Sequence, residues 1–181
     1  MTNAEPNLMQ KIIETPPVSR VRRNHGLEHA TLNILSQRFP HLRLAGHSDF
    51  KGFWVIGNVP IETVQDAVEE ALSRMRAGET NLAVHHNCGT NYVTAGMLAG
   101  VAGAITMIGV GRRWRDKLER LPVAMSLATL ALIVGMPLGS LVQARVTTSG
   151  DPGEMQVVEI MTKMRGTSGG RLKAHRVITR G

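Results

Sequence analysis

Hydrophobic and polar positions along the 181-residue chain change period several times, and each change marks an element. Val21, Leu32, Leu35 and Phe39 recur at three- and four-residue steps, with His25 and Glu28 on the same steps. This predicts a helix over Ser19–Arg38, stopped by Pro40. Leu42–His47 and Phe53–Ile56 are short apolar runs around a Ser-Asp-Phe-Lys-Gly turn and predict a β-hairpin. Pro60 opens a second amphipathic helix over Ile61–Ala77. Its apolar face is Val64, Val68, Ala71, Leu72 and Met75, and Gly78 stops it. Leu82–Val84 predicts a short strand or an extended approach to the loop His85–Thr90.

The pattern then changes in kind. No charged residue occurs from Gly89 to Gly111, or from Leu121 to Ala144. Each run reaches the ~20 residues that cross a bilayer as a helix. The first contains the spacing Gly96-x-x-x-Gly100, and the second offers Ala124, Ala128, Ala131, Gly135 and Gly139. Small residues at such steps let helix backbones approach closely in lipid. The short linker Arg112–Arg120 makes the pair an antiparallel hairpin over 91–111 and 121–143; the alternative is a buried hairpin in a soluble core. Past the turn-rich Thr147–Gly153, the alternating runs Met155–Met164 and Leu172–Thr179 flank Gly166-Thr167-Ser168-Gly169-Gly170. They predict a terminal β-hairpin, with a disordered basic tail as the alternative.

The expected class is therefore α+β. A flexible arm (1–18) precedes a small domain of two amphipathic helices and β-hairpins (19–90). A two-helix transmembrane hairpin (91–144) follows, and a C-terminal β-hairpin (145–181) returns to the domain. The expected location is the cell membrane, with two spans. The first ten residues are polar and show no secretory leader pattern.

Charge sharpens this picture. The chain has 21 Lys and Arg against 14 Asp and Glu. Residues 1–90 carry nine of each sign, whereas 112–120 carry five basic and two acidic, and 145–181 seven and three. The excess thus flanks the uncharged runs, which suits anionic lipid headgroups better than nucleic acid. Only six aromatic residues are present, and Trp114 alone sits within a basic cluster, so base stacking has little to work with. The expected partners are the bilayer and either a second copy or a membrane-complex subunit, with no nucleic acid. One cysteine permits no internal disulfide.

Two clusters carry the candidate chemistry: His25-Gly26-Leu27-Glu28-His29, and His85-His86-Asn87-Cys88-Gly89-Thr90. On a helix, His25, Glu28 and His29 fall within an arc of about 100°, so two imidazoles one turn apart can share an ion. His85 and Cys88 form an H-x-x-C, with His86 as a competing donor. Mixed imidazole and thiolate donors suit zinc or another divalent transition metal, and the expected ligands are His25, His29, His85 and Cys88. Glu28 reads as a catalytic general base toward water at the metal, as a ligand, or as an acceptor fixing a histidine tautomer. His41, His47 and His175 are expected at the surface. The apolar runs contain no histidine, so axial ligation of haem or chlorophyll within them has no donor.

The string His25-Gly26-Leu27-Glu28-His29 followed by His85-His86-Asn87-Cys88-Gly89-Thr90-Asn91-Tyr92 resembles the YqhQ-like predicted metal-dependent membrane proteins. These carry H-G-x-E-H and later H-x-x-C-G-T with an aromatic. Asn24–Arg38, Gly52-Phe53-Trp54 and Leu82–Asn91 are similar to a smaller uncharacterised membrane family of cyanobacteria and other phototrophic or filamentous bacteria. The resemblance covers about residues 22–92 and the hydrophobic hairpin. It implies the same metal constellation, a multi-pass membrane setting and no established reaction. His86-Asn87 stands where the YqhQ-like proteins tend to have Pro-Arg, and only two spans are expected. Three functions fit: a metal-binding membrane protein, a metal-dependent peptidase-like hydrolase with Glu28 as base, or a small subunit or assembly factor of a membrane complex.

Overall fold

The computed structural model describes residues 7–167 and 170–181. Its elements, in chain order, are helices α1 (Leu8–Ile13) and α2 (Pro16–Arg38), strands β1 (Ala45–Asp49) and β2 (Gly52–Ile56), helix α3 (Ile61–Arg76), a 3-10 turn (Thr80–Ala83), helices α4 (Gly89–Thr106) and α5 (Trp114–Val142), a π turn (Gln143–Thr147), and strands β3 (Gln156–Thr167) and β4 (Gly170–Arg180). The chain divides into two compact units, Met1–His85 with Ala144–Gly181, and His86–Gln143.

The first unit is α+β. Its four strands form one antiparallel sheet in the order β1-β2-β4-β3. The terminal hairpin thus returns to the sheet, and β4 lies in its interior beside β2, with Phe53 opposite Val177. Alternation along each strand turns one face to the helices. Phe53, Val55 and Val177 from the sheet meet Leu27, Ile34 and Leu35 of α2 and Val64, Val68, Ala71 and Met75 of α3, all buried.

Several expected boundaries shift for local reasons. Proline lacks an N–H and its fixed φ suits a first turn, so α2 begins at Pro16 rather than Ser19. Within the expected flexible arm, residues 8–13 form α1, which Asn7 caps through the Gln10 N–H and Gln10 returns the bond; the arm's first six residues lie outside the described ones. Of Leu82–Val84, expected as a short strand or extended approach, Leu82 and Ala83 instead end the 3-10 turn and Val84 is extended. Carbonyls of this segment are taken by α2, as Asn33 Nδ2 donates to Leu82 O at 3.0 Å and Val84 O at 2.9 Å. In the terminal hairpin, Ser168 and Gly169 of the expected turn lie outside the described residues.

The second unit consists of α4 and α5, which run antiparallel. Gly135 packs on Ala95 and Gly139 on Asn91, where an added Cβ would lie 2.6 and 2.5 Å from the facing Cα atoms. Gly96 and Gly100 do not make this contact; no side chain or backbone lies within 4 Å of a Cβ placed there. Among the described residues, the continuous helical stretch Trp114–Thr147 is the one helix long and apolar enough to cross a membrane. That corrects the expectation of two such helices. α4 has 18 residues, and its first turn, Gly89-Thr90-Asn91-Tyr92, is polar.

Candidate metal centre

Helix α2 carries His25 and His29 one turn apart, with ring centroids 4.3 Å from each other. The His85 ring lies 5.7 Å from that of His29. His29 is buried and His25 and His85 are partly buried. This part of α2 is enclosed on several sides, since Asn24 through Leu32 are buried except for His25. Gly26 makes the enclosure possible. A Cβ there would lie 2.0 Å from the Ser149 carbonyl oxygen and 3.3 Å from the Ala83 Cβ.

Hydrogen bonds fix how the two α2 histidines present themselves. His25 Nδ1 donates to the Thr147 carbonyl at 3.0 Å, and His29 Nδ1 donates to the Ala83 carbonyl at 2.8 Å. A carbonyl can only accept, so in each neutral ring the proton sits on Nδ1 and the basic lone pair on Nε2. Such a carbonyl bond on the far nitrogen is what orients histidines that bind metals. Sequence reasoning missed these acceptors because backbone carbonyls leave no residue signature. One part was readable in principle: Asn33 lies one turn past His29 and ties the turn holding Ala83 to the same helix.

The acceptor for His25 is itself held. Arg22 donates to the carbonyls of Arg145, Val146 and Thr148 at 2.7 to 3.1 Å, fixing the segment that contains Thr147. Burial lowers the Arg22 pKa and the charge of Glu14 opposes that shift.

In the second unit, Cys88 caps α4. Its buried, unbridged Sγ accepts the Thr90 N–H at 3.4 Å. Asn91, buried one turn along α4, donates to the His86 carbonyl at 2.8 Å and accepts from Gln143 Nε2. The loop before α4 is therefore anchored by its first turn. By chemistry, His25, His29 and Cys88 are a His/His/Cys group that could hold a metal ion.

Glu28 is 4% exposed and lies against β1, where a Cβ on Gly46 would fall 2.1 Å from its Oε1. His41 and His47 are exposed and His86 is exposed. His175 departs from its surface expectation. It is fully buried on the core face of β4, where Nε2 donates to the Val59 carbonyl at 3.0 Å and Nδ1 accepts from Thr162 at 2.8 Å.

An α+β domain with a histidine cluster on its first long helix, followed by an apolar helical pair, is thus the class of protein observed. The chain belongs to the DUF6391 family, described as a domain of unknown function, which matches residues 20–160. An uncharacterized protein of Picosynechococcus sp. is similar to it, 35% identical over 142 residues that cover 71% of this chain and 66% of the relative. The chain thus spans just under two thirds of that relative's length. No solved structure matches.

Proposed function

We propose that this protein is a membrane-associated metal-binding protein in which His25, His29, His85 and Cys88 hold one transition metal ion, with zinc favoured by the mixed imidazole and thiolate donors. The carrying observation is the pair of Nδ1-to-carbonyl bonds, which leave Nε2 of both α2 histidines as the basic nitrogen. The His85 ring near His29 supports a third imidazole. Cys88 follows three residues later, so the backbone holds its Cα within about 11 Å of the His85 Cα. Four protein donors close a tetrahedron, the usual form of a structural site. The packing of Glu28 against Gly46 favours a supporting role for this carboxylate over that of a base.

The membrane part of the proposal rests on α5 and on the apolar surface of the helical pair. Met97, Val101, Ile105, Met125, Ile133 and Val134 are each more than half exposed. A bilayer covers such a surface, whereas water penalises it by about 25 cal/mol per Å². We place α5 across the bilayer, with α4 packed along it through Gly135 and Gly139.

Elemental analysis of protein purified without added metal tests the first part. About one equivalent of zinc or a similar metal is expected, and folded protein with none refutes it. Alkaline extraction of membranes tests the second part. The full chain should remain with the lipid pellet, and its release as a soluble monomer refutes the membrane reading.

A further inference from the structure

The helical pair carries a groove of about 380 Å³ lined by Leu98, Val101, Ala102 and Ile105 of α4 and Leu130, Ala131, Val134 and Leu138 of α5. Every lining residue is apolar, and the groove belongs to the second unit alone. It begins in the last turn of α4, at Ile105, directly before the loop that leads to the basic start of α5. Arg112, Arg113, Arg115, Lys117 and Arg120 are all exposed there, against Asp116 and Glu119. Trp114 beside them is 66% exposed, as an indole seated at a headgroup boundary would be.

Helical geometry relates these cations to the groove. Arg120 and Leu138 are 18 residues apart on α5, five full turns of a regular helix, so regular spacing sets them on one face, with Pro122 and Pro137 between them. Ala131 lies on the same face to within about 20°, and about 16 Å along the axis from Arg120. That is close to the depth of one leaflet, about 15 Å of a 30 Å hydrocarbon core. Lys117 and Arg113, one and two turns before Arg120, extend the row on this face with the carboxylate of Asp116 among them, which leaves three cations against one anion.

We propose that this face is a binding site for an anionic diacyl phospholipid, whose phosphate headgroup is held by Arg113, Lys117 and Arg120 and one of whose acyl chains lies in the groove. The proposal rests on the membrane reading above. Charge complementarity selects the occupant. A partner helix would fill the groove but leave the cationic row at its head unmatched, and a zwitterionic lipid would neutralise its own phosphate. A phosphatidylglycerol headgroup supplies a net negative charge and oxygen acceptors for guanidinium and ammonium donors.

The experiment uses the full chain purified in a neutral detergent. Thermal unfolding is followed while dioleoyl phosphatidylglycerol or dioleoyl phosphatidylcholine is titrated in. Phosphatidylglycerol should raise the Tm saturably and phosphatidylcholine should not. A triple variant, Arg113→Gln, Lys117→Gln and Arg120→Gln, alters only exposed positions. It should weaken the phosphatidylglycerol midpoint by about a hundredfold, at about fivefold per cation. Ala131→Phe fills the groove and should also weaken it while the lipid-free Tm is kept. Equal stabilisation by the two lipids, or an unchanged midpoint in the triple variant, overturns the proposal. Membrane extraction of the same triple variant separates the two readings. It should stay with the lipid pellet, because its apolar helical pair is unchanged, even though lipid selectivity is lost.

Discussion

Glu28 occupies the space against β1 that a side chain at Gly46 would need. A Cβ on Gly46 would lie 2.1 Å from Glu28 Oε1, 2.7 Å from Cδ and 2.9 Å from Cγ. Glu28 is 4% exposed, so it has little room to withdraw. Gly46→Ala should therefore destabilise the protein by about 1–3 kcal/mol, the usual cost of overpacking. Glu28→Ala combined with Gly46→Ala should cost less than the sum of the two, since the truncation vacates the contested space. Thermal unfolding of the two single variants and the double variant measures this. Additive losses would show that the two positions do not compete.

His175 gives the fold a defined response to acid. Burial holds its pKa below the ordinary 6.5, against a smaller opposing contribution from its bond to Val59. The unfolded chain accepts a proton near pH 6.5 and the folded chain resists it. Stability from this group is then complete above pH 6.5 and is lost as pH falls below that value. His175→Gln cannot titrate and should flatten the dependence of unfolding midpoint on pH between 7 and 5. It should cost about 1 kcal/mol at pH 7 for imperfect replacement of the bonds to Val59 and Thr162. Denaturant midpoints at pH 5, 6 and 7 check both. An identical slope in the two proteins would assign the acid sensitivity elsewhere.

These residues also show how much of the structure was legible. The long helix carrying His25, Glu28 and His29 follows from spacing and Pro40, because both are local signals. The burial of His175 was legible in part. It alternates with Val177 and Thr179 on β4, and both of those are buried, so period two places it inside. Its polarity hid that, and its two bond partners lie in other elements. The turn over Thr80–Ala83 was legible only through Asn33, one turn past His29 on the same helix, because the carbonyls that these two side chains hold lie about fifty residues away and leave no residue signature. The start of α4 shifted to Gly89 because Cys88, read only as a ligand, also caps the helix.

Which glycines bring α4 and α5 together was also ambiguous in the sequence, where Gly96-x-x-x-Gly100 and the Gly135, Gly139 pair both had suitable spacing. The structure uses the latter. Gly139→Ala would press a methyl against Asn91, 2.5 Å from its Cα and 2.8 Å from its Oδ1, and should disturb the bond from Asn91 to the His86 carbonyl. Gly100→Ala meets nothing within 4 Å and should be neutral or slightly stabilising, since alanine favours helix over glycine. A Tm loss of several degrees for Gly139→Ala, with none for Gly100→Ala, is the expected result in detergent. The reverse order would mean that the Gly96 and Gly100 edge is the one in contact.

Metal dependence should follow the tautomer-fixing bonds rather than the number of histidines. His25 and His29 each direct Nδ1 to a carbonyl, whereas His41 and His47 are exposed. His29→Ala and Cys88→Ser should each reduce bound metal at least tenfold, while His41→Ala and His47→Ala should leave it unchanged. Because metal binding and folding are linked, chelation of the wild type should lower its Tm and re-addition of zinc should restore it. His29→Ala should lose most of that response. Glu28→Gln tests the remaining role, since it keeps the side-chain volume but changes one oxygen to an amide nitrogen. If Glu28 supports the centre structurally, this change should lower Tm or metal affinity. If it keeps both and instead abolishes a hydrolytic activity of the wild type, Glu28 is a base and the proposal of a purely structural centre fails.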